Sequence, residues 1–122
     1  MTTDKVLVVL KKSHELNKLK QAVTGEKGAI IAGRHTKERY STRGYFENDI
    51  SSCLLTGEIV EIKEGYNSRY KKTCRNLTVE GVDEDGNYII CIFSEISKRK
   101  NIYNVVTLMP PCDRKRFGKL VA

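Results

Sequence analysis

The sequence contains no tryptophan and only two prolines, Pro110 and Pro111, which are adjacent. The long stretch before them has no proline-rich linker, and the chain shows neither an internal repeat nor a low-complexity segment. Because aromatic residues make up only 7% of the chain, isoleucine, valine and leucine must build the core. A chain of 122 residues with these features predicts a single domain over residues 1–122.

Long apolar runs are missing as well. The apolar residues 6–10 are too few for the core of a signal peptide, and acidic Asp4 precedes them. No segment approaches the roughly 20 apolar residues that span a bilayer. We therefore expect a soluble, cytoplasmic protein that does not associate with a membrane.

Cysteine occurs four times, but in no pattern typical of a metal site. The positions are Cys53, Cys74, Cys91 and Cys112. Structural zinc sites usually contain two cysteines a few residues apart, and disulfides belong to oxidising compartments. Single cysteines with apolar neighbours are typically small buried hydrophobes. We expect structural thiols, no metal and no cofactor, with zinc binding and a redox role as the alternatives.

Basic residues outnumber acidic ones, with 22 Lys and Arg against 15 Asp and Glu. The formal net charge is +7 and the isoelectric point is about 9.3. A surplus of this size favours nucleic acid, an anionic membrane or an acidic protein as a partner. The charge alone does not choose among them, and a solvated basic surface is the alternative.

Helical patterns fill the first half of the chain. Ser13 is a candidate N-cap for a first helix, in which apolar residues recur up to Val23 before two glycines end it. A second helical segment is predicted over residues 34–40, ending near Gly44. A third begins with the acidic first turn at residues 47–49 and ends at Gly57, a natural C-cap. The pattern leaves open whether the first dozen residues form a strand, part of the first helix or an arm that binds a partner.

Strand patterns follow Gly57. Alternating or continuous apolar residues predict strands over residues 59–62, 74–82, 88–93 and 102–109. Residues 83–87 are a strong turn signal for a hairpin, and residues 94–101 are predicted to form a polar loop. The element order predicts an α+β fold, in which N-terminal helices pack on one face of a four-stranded antiparallel sheet. The other face of the sheet would then be partly solvated.

The most informative spacing for chemistry is His35, Arg39 and Arg43, each four residues after the last. On a helix, these side chains share one edge. Arginine binds phosphate with two hydrogen bonds, and imidazole exchanges protons near neutral pH, so the set suits phosphodiester chemistry. The alternative is structural: Glu38 and Glu47 pair with the arginines, and His35 bonds to backbone at a helix end.

Three further groups of basic residues are candidates for nucleic-acid contact. They lie before the second predicted strand, in the polar loop and in the tail, and comprise Arg69, Lys71, Lys72, Lys98, Arg99, Lys100, Arg114, Lys115 and Arg116. Aromatic residues occur nearby, and basic side chains with interspersed aromatics suit RNA backbone contact and base stacking. Solvated loops and a disordered tail are the alternative. His14, among lysines of the first helix, is predicted to be a surface residue.

Several of these features form an ordered series. The series comprises His35, Arg39, Arg43-Gly44, Asp49-Ile50, Leu55-x-Gly57-Glu58-Ile59, the strand that ends in Gly81, the turn Asp85-Gly86, and Thr107 shortly before Pro110. In the identity and order of these motifs, residues 30–110 resemble a family of small bacterial proteins, the domain of unknown function 4258 family. The resemblance implies a fold similar to the RelE-type toxin superfamily, whose members include messenger-RNA interferases.

The resemblance also implies an organisation and a set of roles. Residues 30–110 would be the core toxin-like domain, residues 1–29 a variable segment with the first helix, and residues 111–122 a basic tail. His35 would be the general acid or base for attack by a 2′-hydroxyl, Arg39 and Arg43 would neutralise the scissile phosphate, and Thr107 would hydrogen-bond it.

Residue chemistry and resemblance together predict a toxin-like endoribonuclease that needs no metal. Its partners would be RNA, free or on the ribosome, and an acidic antitoxin or inhibitor protein. The alternative is a non-catalytic basic module that binds nucleic acid or an acidic protein, in which residues 98–100 matter more than His35.

Overall fold

A computed structural model of the chain describes residues 3–111, with side chains described from Lys12 onward. In this part of the chain there are three helices and five strands. They are α1 (Thr3–Thr24), β1 (Ala29–Ile31), α2 (Arg34–Thr42), α3 (Glu47–Thr56), β2 (Glu58–Asn67), β3 (Lys72–Val82), β4 (Tyr88–Ser97) and β5 (Ile102–Met109). The predicted α+β class is confirmed.

The sheet is mixed and has five strands in the order β1-β5-β4-β3-β2. Strands β2 to β5 form the predicted antiparallel meander, but β1 pairs in parallel with the first residues of β5. The prediction of a four-stranded antiparallel sheet was therefore wrong. The sequence pattern missed β1 because this strand is short: three residues do not complete two periods of strand alternation. Its partner strand also lies far along the chain.

Helix α1 begins at Thr3, so the prediction that Ser13 caps the first helix was also wrong. Ser13 lies inside the helix. The segment before it is rich in valine, which is typical of strands but costs a helix only a few tenths of a kcal/mol per residue. From Thr3 onward, the N-terminal segment, whose structure the sequence left open, is part of the first helix.

The main core lies between α1, α3 and one face of the sheet. Its largest fully buried side chains come from both layers and include Leu19, Leu54, Leu77, Phe93 and Tyr103. On the opposite face, buried Ile90 packs with partly buried Val60, Ile92 and Met109 in a smaller apolar cluster. Strand β4 is accordingly covered on both faces, which accounts for its continuous apolar run.

The cysteines of the described region are buried free thiols, as expected for small core residues. Cys112 lies outside the described residues. A hydrogen bond with Cys53, together with burial, raises the pKa of the Cys91 thiol well above its ordinary value. Both effects keep this thiol neutral, in line with a structural role.

One buried charge cluster holds α1 against the sheet. Arg75 of β3 donates to Glu15 of α1 at 2.9 Å and to Glu95 of β4 at 2.8 Å. The hydrogen bond to Glu95 is the largest of the effects that raise the pKa of the Arg75 guanidinium. Both carboxylates are nearly buried, and the partly exposed Arg75 guanidinium balances their charge.

Strands β2 and β4 are longer than predicted. Residues 94–97 extend β4, so the predicted polar loop shrinks to residues 98–101. Ser94 hydrogen-bonds to Asn76, and Glu95 pairs with Arg75. These polar residues remain in the strand because each side chain has a partner there.

No helix in the described part of the chain is long and apolar enough to cross a membrane.

Asn101 closes the turn between β4 and β5 in the left-handed conformation, with φ of 58°. Its side-chain amide donates to the carbonyl oxygens of Lys18 at 2.8 Å and Lys27 at 2.9 Å. Its side-chain oxygen accepts from the buried Tyr103 hydroxyl at 2.9 Å. One side chain therefore joins the end of α1, the approach to β1 and the start of β5.

We expect Asn101→Ala to lower the free energy of unfolding by roughly 2–4 kcal/mol, because it leaves the buried Tyr103 hydroxyl and two partly buried carbonyl oxygens without their partner. Chemical denaturation of purified protein measures this change. The matched control is Asn87→Ala in the exposed β3–β4 turn, which should stay within about 0.5 kcal/mol of the wild type. Equal unfolding midpoints for Asn101→Ala and the wild type would contradict the role given to this side chain.

Candidate functional site

The end of the β2–β3 hairpin curls over the sheet toward β5. Asn67 of β2 donates through Nδ2 to Oδ1 of Asn104 in β5 at 3.3 Å, although β3 and β4 lie between their strands. Asn104 donates in turn to the Ile31 carbonyl oxygen at 3.2 Å. The Asn67 oxygen accepts from the Tyr70 backbone N–H at 3.1 Å. Both side chains are buried, so this hydrogen-bonded chain holds the hairpin end beside the start of α2.

The curl encloses an open cleft of about 530 Å³. One wall is α2 with the residue before it, the opposite wall is the hairpin end, and the floor consists of polar side chains of the sheet. The lining residues are Gly33, Arg34, His35, Thr36, Arg39, Tyr66, Asn67, Ser68, Arg69, Asn76, Ser94, Asn104, Val105 and Val106. They include three arginines and a histidine but no carboxylate.

The floor is built around Asn76 and Ser94, which face each other on β3 and β4. The Ser94 hydroxyl donates to Oδ1 of Asn76. A Cβ atom at Gly65 would lie 2.6 Å from the Asn76 Nδ2 atom. Glycine at position 65 therefore leaves room for the Asn76 amide nitrogen, which makes no hydrogen bond with any described residue.

Helix α2 begins in the cleft without a cap. Its N-cap residue is Gly33, no side chain caps it, and its first turn contains no acidic residue. The first N–H groups of a helix have no acceptor within the helix and carry its positive dipole end. The Arg69 guanidinium packs directly against Gly33, so closely that a Cβ atom there would collide with it. Two positive features thus face each other at one wall of the cleft.

The cations of α2 differ in their partners. Arg34 pairs with Glu38 at 3.2 Å, and His35 Nδ1 lies 3.9 Å from the other Glu38 oxygen. Arg39 has no ion pair or hydrogen bond with any described side chain. Arg69 likewise has none and only lies over the Tyr70 ring, 5.5 Å from its centroid. The cleft therefore contains two guanidinium groups whose charge is not balanced within the described chain.

The structure separates the three residues, His35, Arg39 and Arg43, that the sequence predicted to share one edge of a helix. His35 and Arg39 line the cleft, and 92% of the His35 side chain is exposed at its rim. Arg43 is the C-cap residue of α2. It donates to the Thr107 hydroxyl at 3.2 Å and to the Leu108 carbonyl oxygen at 2.8 Å. Arg43 and Thr107 thus come together, but outside the lining of the cleft.

Among the described residues of the predicted basic clusters, only Arg69 lines the cleft. The β2–β3 and β4–β5 turns lie at the same end of the meander, since these strands alternate in direction. The predicted residues Lys71, Lys72 and 98–100 are therefore brought to one end of the sheet, where Lys72 Nζ donates to the Ile96 carbonyl oxygen. Arg114, Lys115 and Arg116 lie outside the described residues.

Sequence reasoning missed the polar floor and wall of the cleft. These residues are Asn67, Asn76, Ser94 and Asn104. A signal was present for two of them, since Ser94 and Asn104 interrupt otherwise apolar stretches of β4 and β5. Polar residues within buried strands need partners, and the sequence does not reveal which ones.

Comparisons of the chain with models of known protein families, with curated proteins and with solved structures found no match. The resemblance to the domain of unknown function 4258 family and to RelE-type toxins stays a prediction. Function must therefore be inferred from the cleft.

We expect Arg43→Ala to lower the free energy of unfolding by about 1–2 kcal/mol, because α2 loses its hydrogen bonds to β5. Arg39→Ala on the same helix should change it by no more than about 0.5 kcal/mol, since Arg39 has no partner to lose. Urea denaturation of the two variants provides the comparison. An equal loss in both, or a larger one for Arg39→Ala, would contradict the division of roles.

Proposed function

We propose that the cleft binds single-stranded RNA by its phosphates and that the protein is an endoribonuclease that needs no metal, with His35 as its acid–base group. The observation that supports this most is the pair of unbalanced guanidinium groups in the cleft: Arg69 lies against the uncapped start of α2, and Arg39 is in the last turn of the same helix. A phosphate at the start of α2 would satisfy Arg69 and the free N–H groups of the helix, and a further phosphate of the same chain would satisfy Arg39.

A phosphodiester fits this charge arrangement better than an isolated carboxylate does. Its two non-bridging oxygens can accept from guanidinium and backbone N–H groups at the same time. The cleft is open, so a chain can enter and leave it. Exposed Tyr66 at the hairpin end (68% exposed) offers a ring on which a base can stack. The basic turns at the same end of the sheet extend the path for longer RNA.

His35 supplies the proton transfer in this proposal. Its Nδ1 atom lies 3.9 Å from Glu38, on the side of the ring away from Nε2, and Nε2 is left for the substrate. His35 accepts the proton of a 2′-hydroxyl as the oxygen attacks the adjacent phosphorus, and the bond to the 5′-oxygen breaks. The departing oxygen takes up a proton, which leaves a 2′,3′-cyclic phosphate and a 5′-hydroxyl end. Arg39 and Arg69 stabilise the charge that develops on the phosphoryl oxygens.

Arg43 and Thr107 act indirectly in this proposal. Their hydrogen bond, together with the bond from Arg43 to the Leu108 carbonyl oxygen, holds the C-terminal end of α2 on β5. The position of His35 and Arg39 along the cleft depends on the position of that helix. We therefore assign Arg43 and Thr107 a positioning role.

For binding, we expect Arg39→Ala and Arg69→Ala each to weaken the affinity for a single-stranded RNA decamer by roughly tenfold or more, because a charge-assisted hydrogen bond is lost. The slope of log affinity against log salt should fall by about 0.7 for each cation removed. Fluorescence anisotropy at several salt concentrations measures both quantities.

The control for this binding experiment is Lys27→Ala, which removes one exposed positive charge outside the cleft. Its affinity should stay within about twofold of the wild type, because exposed charges beyond a Debye length are largely screened. Equal losses in Lys27→Ala and the two arginine variants would mean that RNA binds by overall charge and not in the cleft.

For cleavage, we expect wild-type protein to cut RNA in the presence of a chelator and to leave 2′,3′-cyclic phosphate ends. His35→Ala should reduce the rate by roughly 100-fold or more, in keeping with the loss of an acid–base group. The matched control is His14→Ala, which removes the exposed histidine of α1 and should cut at the wild-type rate. End-group analysis of the fragments measures the product.

Cleavage that survives in His35→Ala would show that the mechanism is wrong. If RNA is retained in a salt-sensitive way but is cut by no variant, the protein is a binding module, the alternative that the sequence left open. In that case substitution of residues 98–100 should weaken binding more than His35→Ala does.

A further inference from the structure

Three asparagine side chains that line the cleft are held by hydrogen bonds to their oxygen atoms. Asn67, Asn76 and Asn104 each have their side-chain oxygen engaged, by the Tyr70 N–H, the Ser94 hydroxyl and the Asn67 amide respectively. In each of these amides the oxygen already accepts one hydrogen bond, and the nitrogen keeps at least one N–H that no described residue accepts. Among them, Asn76 Nδ2 has no acceptor in the described chain, and Gly65 gives it room.

The orientation of two of these amides is set by the backbone. Asn104 must direct its nitrogen toward the Ile31 carbonyl oxygen, which only accepts. Asn67 must direct its oxygen toward the Tyr70 N–H, which only donates. The hydrogen bond between the two side chains then follows with its donor and acceptor already determined.

An N–H donor on the floor of the cleft can distinguish nucleobases by whether they carry a carbonyl oxygen or an amino group at one position. Uracil has a carbonyl oxygen where cytosine has an amino group, and guanine has one where adenine has an amino group. An N–H group of the floor can donate to the carbonyl oxygen, whereas it meets another donor when the base has an amino group. A site whose buried polar groups require one partner disfavours the analogue that lacks it.

The dimensions of the cleft permit such a contact. Its volume of about 530 Å³ lies within the roughly 300–1,000 Å³ of sites that take small organic groups. Exposed Tyr66 stands at the hairpin end and can stack on a base whose edge faces Asn76. The arginines at the α2 wall would hold phosphates of the same RNA chain.

We propose that this floor reads one nucleobase and selects keto bases, uracil and guanine, over amino bases, cytosine and adenine, with the Asn76 amide as the specificity-determining donor. The inference rests on the proposed binding of RNA in the cleft. It goes further by naming the substrate class, single-stranded RNA with a keto base in the cleft.

The test compares four pentanucleotides that differ in this group: oligouridine against oligocytidine, and oligoinosine against oligoadenosine. Inosine has the keto oxygen of guanine at the position where adenosine has its amino group. All four carry 2′-fluoro sugars, which lack the attacking hydroxyl and cannot be cut by the proposed mechanism. We expect wild-type protein to bind the keto member of each pair at least about fivefold more tightly, measured by anisotropy.

Two substitutions assign the preference to Asn76. Asn76→Ala should bring both affinity ratios close to one, and Asn76→Asp should reverse them, because a carboxylate only accepts. The added negative charge of Asn76→Asp weakens all four oligonucleotides together, so the ratio within each pair stays informative. Asn87→Ala, outside the cleft, is the matched control and should keep the wild-type ratios.

The outcomes separate the two proposals. Equal binding of both members in each pair, or tighter binding of the amino member, overturns the base selection while leaving RNA binding in place. A keto preference that persists in Asn76→Ala overturns the assignment to this residue. Failure of wild-type protein to bind any of the four overturns the proposed function itself.

Discussion

The cleft depends on one buried side chain, Asn104. Its amide nitrogen bonds to the end of β1, and its oxygen accepts from Asn67 at the end of the β2–β3 hairpin. Three segments that are distant in the sequence are thereby joined at one point. Since the side chain is only 5% exposed, losing either partner would leave a buried polar group unsatisfied. The junction ties the end of β1, which leads into α2, to the end of the hairpin that carries Arg69.

The two ends of α2 illustrate how one short helix serves stability and function. At its C-terminal end, Arg43 bonds to β5 and Gly44 follows with φ of 86°, so this end is tied to the sheet. At its N-terminal end there is neither a side-chain cap nor an acidic residue, and Arg69 lies against Gly33. A helix start normally attracts negative charge. The arrangement favours a bound anion at one end and a fixed anchor at the other.

Local patterns predicted the parts of the fold that local physics determines. The acidic first turn and apolar stripe located α3, and Asp85-Gly86 located the β3–β4 hairpin. Strand β1 was not predicted because pairing with β5, rather than a local sequence pattern, determines so short a strand. The spacing of His35, Arg39 and Arg43 predicted a shared helix edge, and His35 and Arg39 do lie on α2 and line the cleft. It could not show that Arg43 turns to Thr107, since that contact depends on where β5 passes.

The sequence could not predict the polar floor of the cleft for a further physical reason. An asparagine in a strand can cap a turn, bond to a neighbour or offer its amide to a ligand, and the choice depends on the three-dimensional partners of its oxygen. For Asn76 that partner is Ser94 on the next strand. Once the oxygen is engaged, the nitrogen is a directed donor, and the same constraint applies to Asn67 and Asn104. A rigid set of donors beneath two unbalanced guanidinium groups favours ligands rich in acceptor oxygens, and RNA supplies such oxygens in both its phosphates and its keto bases.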